Sequence, residues 1–175
     1  MNVRTATPAD IEALHDLVHR AYRGDAARAG WTHEADLLDG QRTDRAALAA
    51  TLGDPGQRIL VAEDGARLSG CVQLSNPAPG IAYLGMLSVD PVVQSRGLGR
   101  QLIEAAEQTA RSEFGAAVIE MTVIAQRAEL IAYYERRGYA QTGEMRPFPL
   151  DDPRFGLPKR HDLVFTVLAK ALTAS

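Results

Sequence analysis

Apolar residues recur along this chain at two spacings, and the switches between them mark out its elements. A short strand is expected at residues 3–6. Ile11, Leu14, Val18, Ala21 and Tyr22 then follow at helical spacing and give a helix one apolar face. Thr7-Pro8-Ala9-Asp10 reads as the start of that helix: Thr7 caps, Pro8 suits the first helical position, and Asp10 complements the helix dipole. Residues 24–30 break the pattern, and residues 31–38 read as a loop running into a short helix. A second helix is expected over about 43–52, capped by Thr43 and stopped by Gly53-Asp54-Pro55-Gly56.

Strand chemistry takes over next. Residues 58–63 and 67–74 flank Asp64-Gly65-Ala66, a hairpin signature, and residues 76–80 make a further turn. Ile81–Val89 is a strand whose internal Gly85 marks a bulge or a close backbone approach. A helix follows to about Phe114, burying Leu102, Ile103, Ala106 and Ala110. Then come an apolar strand at 117–124, a helix at 127–137, a short strand at 139–144, a proline-containing loop at 145–158 and a last strand at 162–169. The order β-α-α-β-β-β-α-β-α-β-β implies an α/β fold, a mixed sheet with helices on both faces. With no repeat or linker to divide it, the chain of 175 residues is expected to form one domain.

Composition narrows the partners. A net charge of −3 gives no footprint for nucleic acid or an anionic membrane, although a local basic cluster can still hold an anionic ligand. Cys71 is the only cysteine, so no disulfide within the chain is expected, and a lone thiol suits a reducing compartment. No apolar run approaches the ~20 residues that cross a bilayer. The start of the chain lacks the pattern of a signal peptide, and a cytoplasmic location is expected.

The chemistry concentrates in Gln94-Ser95-Arg96-Gly97-Leu98-Gly99-Arg100, two glycines at the start of a helix with arginines beside them. First-turn amides lack partners and carry partial positive charge, and glycine lets a ligand approach them. The expected ligand is a phosphate or diphosphate. A Walker loop would need a lysine that is absent, and a Rossmann fingerprint would need a third glycine where Leu102 stands. The bland alternative is a helix that merely begins with flexible residues.

Residues 84–139 resemble the GNAT family of N-acetyltransferases. One family signature, Gln/Arg-x-x-Gly-x-Gly/Ala after a strand, matches Gln94 to Gly99. A second, a helix ending in Tyr-x-x-x-Gly-aromatic, matches Tyr134-Glu135-Arg136-Arg137-Gly138-Tyr139. The resemblance implies a splayed central sheet of about seven strands and acetyl-CoA as co-substrate, with no metal. It places the pantetheine arm of coenzyme A along the backbone of Leu87, Ser88 and Val89, as an added strand in a gap that a bulge at Gly85 opens. The diphosphate would lie on the amides of residues 94–99, with Arg96 and Arg100 nearby.

Tyr134 falls at the family's general-acid position. A tyrosine of pKa about 10 can donate to a thiolate whose thiol has pKa about 8.5. Core packing beside Leu130 and Ile131 is the alternative role. Tyr133 points about 100° away around the helix.

The chain departs from the family in two places. Many members carry Asn seven residues before the tyrosine, where Arg127 stands here; it either reaches a cofactor phosphate or caps the segment. Members often place a general-base Glu on the strand matching Ile81–Val89, where Tyr83, Leu84 and Gly85 offer no carboxylate. Glu120 on the adjacent strand is the first candidate, against an ordinary solvent-facing role; His33, Glu34 and His161 follow.

The family varies its acceptor pocket in the regions matching 22–38 and 145–161. Trp31 and Glu34 could hold a cationic amine, or Trp31 could simply pack the helix connection. Phe148, Asp151 and Asp152 sit in a loop that could act as a lid, or the aspartates could be ordinary loop charges. The expected reaction is direct attack by a primary amine, of a small molecule or peptide, on the thioester in a ternary complex. A non-catalytic acyl-CoA sensor and a protein-amine acetyltransferase are the alternatives. Dimers are common among similar proteins, so a homodimer is one expected assembly.

Overall fold

A computed structural model of the chain describes residues 2–22, 38–39, 43–147, 157–158 and 163–172. Its elements run β1 (Asn2–Thr5), α1 (Ile11–Tyr22), β2 (Leu38–Asp39), α2 (Arg45–Leu52), β3 (Gln57–Asp64), β4 (Arg67–Ala78), β5 (Ile81–Val89), α3 (Leu98–Phe114), β6 (Val118–Ile124), α4 (Ala128–Arg136), β7 (Ala140–Pro147), β8 (Leu157–Pro158) and β9 (Val164–Ala171). Seven strands form one sheet in the order β1-β3-β4-β5-β6-β9-β7, and β2 pairs with β8 apart from it. Only β5 and β6 run parallel; every other neighbouring pair is antiparallel. This is the mixed sheet expected from the order of elements.

Strand alternation sends side chains to two cores. On one face, Leu60, Val72, Leu74, Ala82, Leu84, Ile119 and Met121 pack against α3 and α4 through Leu98, Leu102, Ile103 and Tyr134. On the other, Ile59, Val61, Leu68 and Cys71 meet Leu14, Leu17 and Val18 of α1 and Leu48 of α2. The two helix pairs therefore cover opposite faces.

Three local expectations change. Asp44 caps α2, accepting from the Ala47 amide at 2.7 Å, so Thr43 stands one residue outside. Strand β4 runs on through Asn76 and Pro77 to Ala78, which shortens the expected 76–80 turn to Pro79-Gly80. The chain enters α1 through a 3₁₀ turn, Pro8–Asp10. There Asp10 accepts from the Thr7 amide at 2.8 Å and from both terminal nitrogens of Arg4 at 2.9 Å.

Candidate active site

The parallel ladder between β5 and β6 has three rungs: Ile81 with Val118, Ala82 with Ile119, and Tyr83 with Glu120. Past that point each strand stays with its other neighbour. β5 follows β4 as far as Val89, opposite Gly70, and β6 follows β9 as far as Ile124, opposite Phe165. The two strands therefore part, leaving a wedge-shaped gap in the sheet.

The cause is an extra residue in β5. Gln73 pairs with Gly85 and Cys71 with Ser88, so Val72 alone faces Met86 and Leu87. A bulge of this kind bends its strand. Met86 takes φ = +51°, the one non-glycine with positive φ among the described residues. Its carbonyl accepts from the Ser88 hydroxyl at 3.2 Å and the Cys71 thiol at 3.8 Å. The bulge thus lies one residue beyond Gly85, where it was expected. Gly85 instead provides clearance: a Cβ there would lie 3.3 Å from the Tyr83 ring.

Beyond the bulge, Leu87, Ser88 and Val89 are buried, and the chain reaches Asp90, whose side chain is only 4% exposed. The Asp90 carboxylate accepts from the Val92 amide at 3.1 Å, from Arg67 at 2.8 Å and from Arg20 at 3.3 Å. It thereby starts the 3₁₀ turn Pro91–Arg96 and ties it to β4 and α1. Burial alone would raise this carboxyl's pKa. The Val92 amide and the two guanidinium groups outweigh it and hold the group below the usual carboxylate range.

Gly97 ends the turn at φ = +73° and caps α3, with nothing within 4 Å of where a Cβ would stand. The backbone of Gln94, Ser95 and Arg96 forms the turn, and their side chains lie outside the described residues. Leu98 and Gly99 begin the helix buried. A Cβ on Gly99 would lie 2.8 Å from the Tyr133 hydroxyl. The helix mouth therefore offers first-turn amides with open space at Gly97, a cradle that fits a diphosphate, while Tyr133 fills the space at Gly99. Arg100 turns along the helix to Glu104 at 3.0 Å and lines a cavity of about 270 Å³ with Arg136, Arg137 and Lys170.

Three tyrosines cluster on and just after α4. Tyr134 is buried and meets Tyr133 and Tyr139 edge-on, with ring centroids 5.5 and 6.1 Å away. It belongs to the same buried cluster as Leu87, Met121 and Val123, which line the two sides of the gap. Arg137 stacks on the Tyr133 ring at 4.5 Å. Tyr139 donates to Glu107 at 3.4 Å, and Glu107 is itself bound by Lys170 at 2.8 Å. Burial first, and the Glu107 charge second, push the Tyr139 phenol well above the ordinary tyrosine range. That leaves Tyr139 a packing residue.

Glu120 stands on the last rung of the β5–β6 ladder. Its neighbours Ile119 and Met121 face α3 and α4, so alternation sends its side chain to the opposite face. There it accepts from Arg146 of β7 at 3.2 Å, and Arg146 also binds Glu144 at 2.6 Å. Tyr134 and Glu120 thus lie on opposite faces of the sheet. Arg127 occupies the N-cap position of α4 without a side-chain capping hydrogen bond. Trp31, His33, Glu34, Phe148, Asp151, Asp152 and His161 lie outside the described residues.

Sequence reasoning missed Asp90, Met86 and Thr122, whose hydroxyl is hydrogen-bonded to the Tyr83 phenol. Asp90 left a visible trace, an aspartate two residues before an amide at a turn start. Met86 and Thr122 left none. Among the described residues, no group of three or more His, Cys, Asp or Glu side chains could hold a metal ion, and no helix is long and apolar enough to cross a membrane.

Comparison with known proteins agrees with this geometry. An IAA acetyltransferase of Azospirillum brasilense is 29% identical over 131 residues, covering 74% of this chain and 77% of its own. The structure of yncA from Salmonella typhimurium, solved with its cofactor acetyl-CoA, superposes with a TM-score of 0.71 at 22% identity, covering all of this chain and 95% of that one. The ribosomal-protein-S18-alanine N-acetyltransferase of Escherichia coli gives a TM-score of 0.72 at 17% identity, with coverage of 99% and 95%. The model of the acetyltransferase (GNAT) family matches residues 11–139. Sheet, gap, glycine-bearing helix mouth and family match agree, and the chain belongs to the GNAT acetyltransferase family.

Proposed function

We propose that this acetyltransferase takes acetyl-CoA as donor and a primary amine of a small molecule as acceptor, by direct attack in a ternary complex. The observation that carries the reading is the gap between β5 and β6, which opens at the Met86 bulge and leads to the helix mouth at Gly97 and Gly99. Backbone along Leu87, Ser88 and Val89 would align an extended arm, and the first-turn amides of α3 would hold its diphosphate. When bound, acetyl-CoA supplies a thioester. The residues around it supply position and protons.

Tyr134 would donate its phenolic proton to the departing sulfur. Backbone N–H of β5 near the bulge would polarise the thioester carbonyl. Glu120 stands on the last rung, paired with Arg146, and would position a water that accepts the amine proton. The IAA acetyltransferase relative supports a small-molecule acceptor. The S18-alanine acetyltransferase neighbour keeps a protein amine as the second reading.

A thiol-release assay with acetyl-CoA against a panel of small primary amines and amine-bearing peptides tests this. Saturable release that depends on a small amine is the expected result. Tight acetyl-CoA binding with no release across the panel would favour a non-catalytic sensor.

A further inference from the structure

Tyr83 lies on the last rung where β5 and β6 still pair. Its neighbours Ala82 and Leu84 point into the core beneath α3 and α4, so its side chain leaves by the opposite face. The ring then leans along β5 towards the open end of the gap. Two observations show this: the ring lies 3.3 Å from where a Cβ on Gly85 would stand, and the phenol is hydrogen-bonded to the hydroxyl of Thr122. Thr122 is two residues past the last rung on β6, where the backbones have parted. The Tyr83–Thr122 bridge thus crosses the gap just beyond the final rung, joining by side chains two strands no longer joined by backbone.

Resting on the cofactor reading above, we infer that this bridge sets the depth of the acyl pocket and restricts the enzyme to short acyl groups, acetyl or propionyl. An arm that enters the gap as an added strand cannot pass the last paired rung. Its terminal acyl group must end against whatever closes the gap there. Tyr83 closes it with a rigid ring that lies over Gly85 and is held at its tip by Thr122. Gly85 matters because a Cβ there would crowd the ring, 3.3 Å away, and require it to give way slightly. An acetyl methyl needs little room beside such a wall. Each further methylene must push aside the ring or break the hydroxyl pair. Tyr83 is therefore a specificity-determining residue, distinct from the proton-transfer roles of Tyr134 and Glu120.

Calorimetric titration with CoA, acetyl-CoA, butyryl-CoA and hexanoyl-CoA tests this without an acceptor. Wild-type protein should bind butyryl-CoA about tenfold more weakly than acetyl-CoA, and hexanoyl-CoA more weakly still. Tyr83→Ala should bring butyryl-CoA to within about threefold of acetyl-CoA while CoA itself binds as in wild type. Should Tyr83→Ala not fold, Tyr83→Leu carries the same comparison, because leucine ends short of Thr122. Equal wild-type affinity for the acyl chains would overturn the inference. So would an unchanged ratio in a variant that still binds CoA. Failure of the wild type to bind CoA at all would overturn the cofactor reading, and this inference with it.

Discussion

The Tyr133 hydroxyl occupies the space above Gly99, 2.8 Å from where a β-carbon would be. One residue along α4, Tyr134 turns into the core beside the gap. Adjacent tyrosines thus part company: the first packs the helix mouth, and the second is the one proposed to face the thioester. The family signature allows glycine or alanine at the second position of the mouth, and here an alanine would require Tyr133 to shift.

Gly99→Ala should therefore destabilise the fold by about 1 kcal/mol and weaken CoA binding, since Tyr133 must shift. Tyr133→Phe removes the clashing oxygen. In a double-mutant cycle the pair should recover at least about 0.5 kcal/mol relative to the sum of the single changes. Strict additivity in denaturant melts would contradict the contact.

Replacing Tyr134 by Phe removes the phenolic proton but keeps the ring that packs against Tyr133 and Tyr139. Turnover should fall about 10²-fold or more, with acetyl-CoA affinity unchanged. Undiminished turnover in the thiol-release assay would remove Tyr134 from the mechanism.

Asp90 should matter for both stability and pH response. Its folded pKa is depressed, so its contribution is present above the unfolded carboxylate value of about 4 and is lost as pH falls through the folded value. Asp90→Asn should cost about 1–3 kcal/mol near neutral pH. The gap between the two proteins should close as the pH is lowered below about 4. Denaturant melts across pH check this, and a gap that widens in acid would contradict the ion cluster.

The lone thiol should be inert. Cys71 is fully buried, and burial pushes its pKa up to about 12. A thiol reagent should label the native protein only on the timescale of unfolding and promptly in denaturant. Rapid native labelling would contradict the packing beneath α1.

What could be read from sequence tracks how local each cause is. Gly97 and Gly99 were legible because a helix mouth is built from consecutive residues, and α1 because its apolar face repeats along one segment. The arrangement around Asp90 was not, since Arg20 and Arg67 arrive from 70 and 23 residues away. The Met86 bulge was equally hidden: nothing in a methionine announces positive φ, and Gly85 drew attention one residue early. Glu120 stood out as a carboxylate on the strand beside β5, but its partner Arg146 depends on how β7 joins the sheet beyond β9.

The central claim is spatial: the wedge between β5 and β6 receives the thioester arm, with the helix mouth at one end and Tyr134 beside the sulfur. A crystal structure of the full chain with coenzyme A tests it most directly. The diphosphate should lie on the first-turn amides around Gly97 and Gly99, with the sulfur within hydrogen-bonding reach of the Tyr134 hydroxyl. A cofactor seated outside the wedge, or a sulfur remote from Tyr134, would contradict the account.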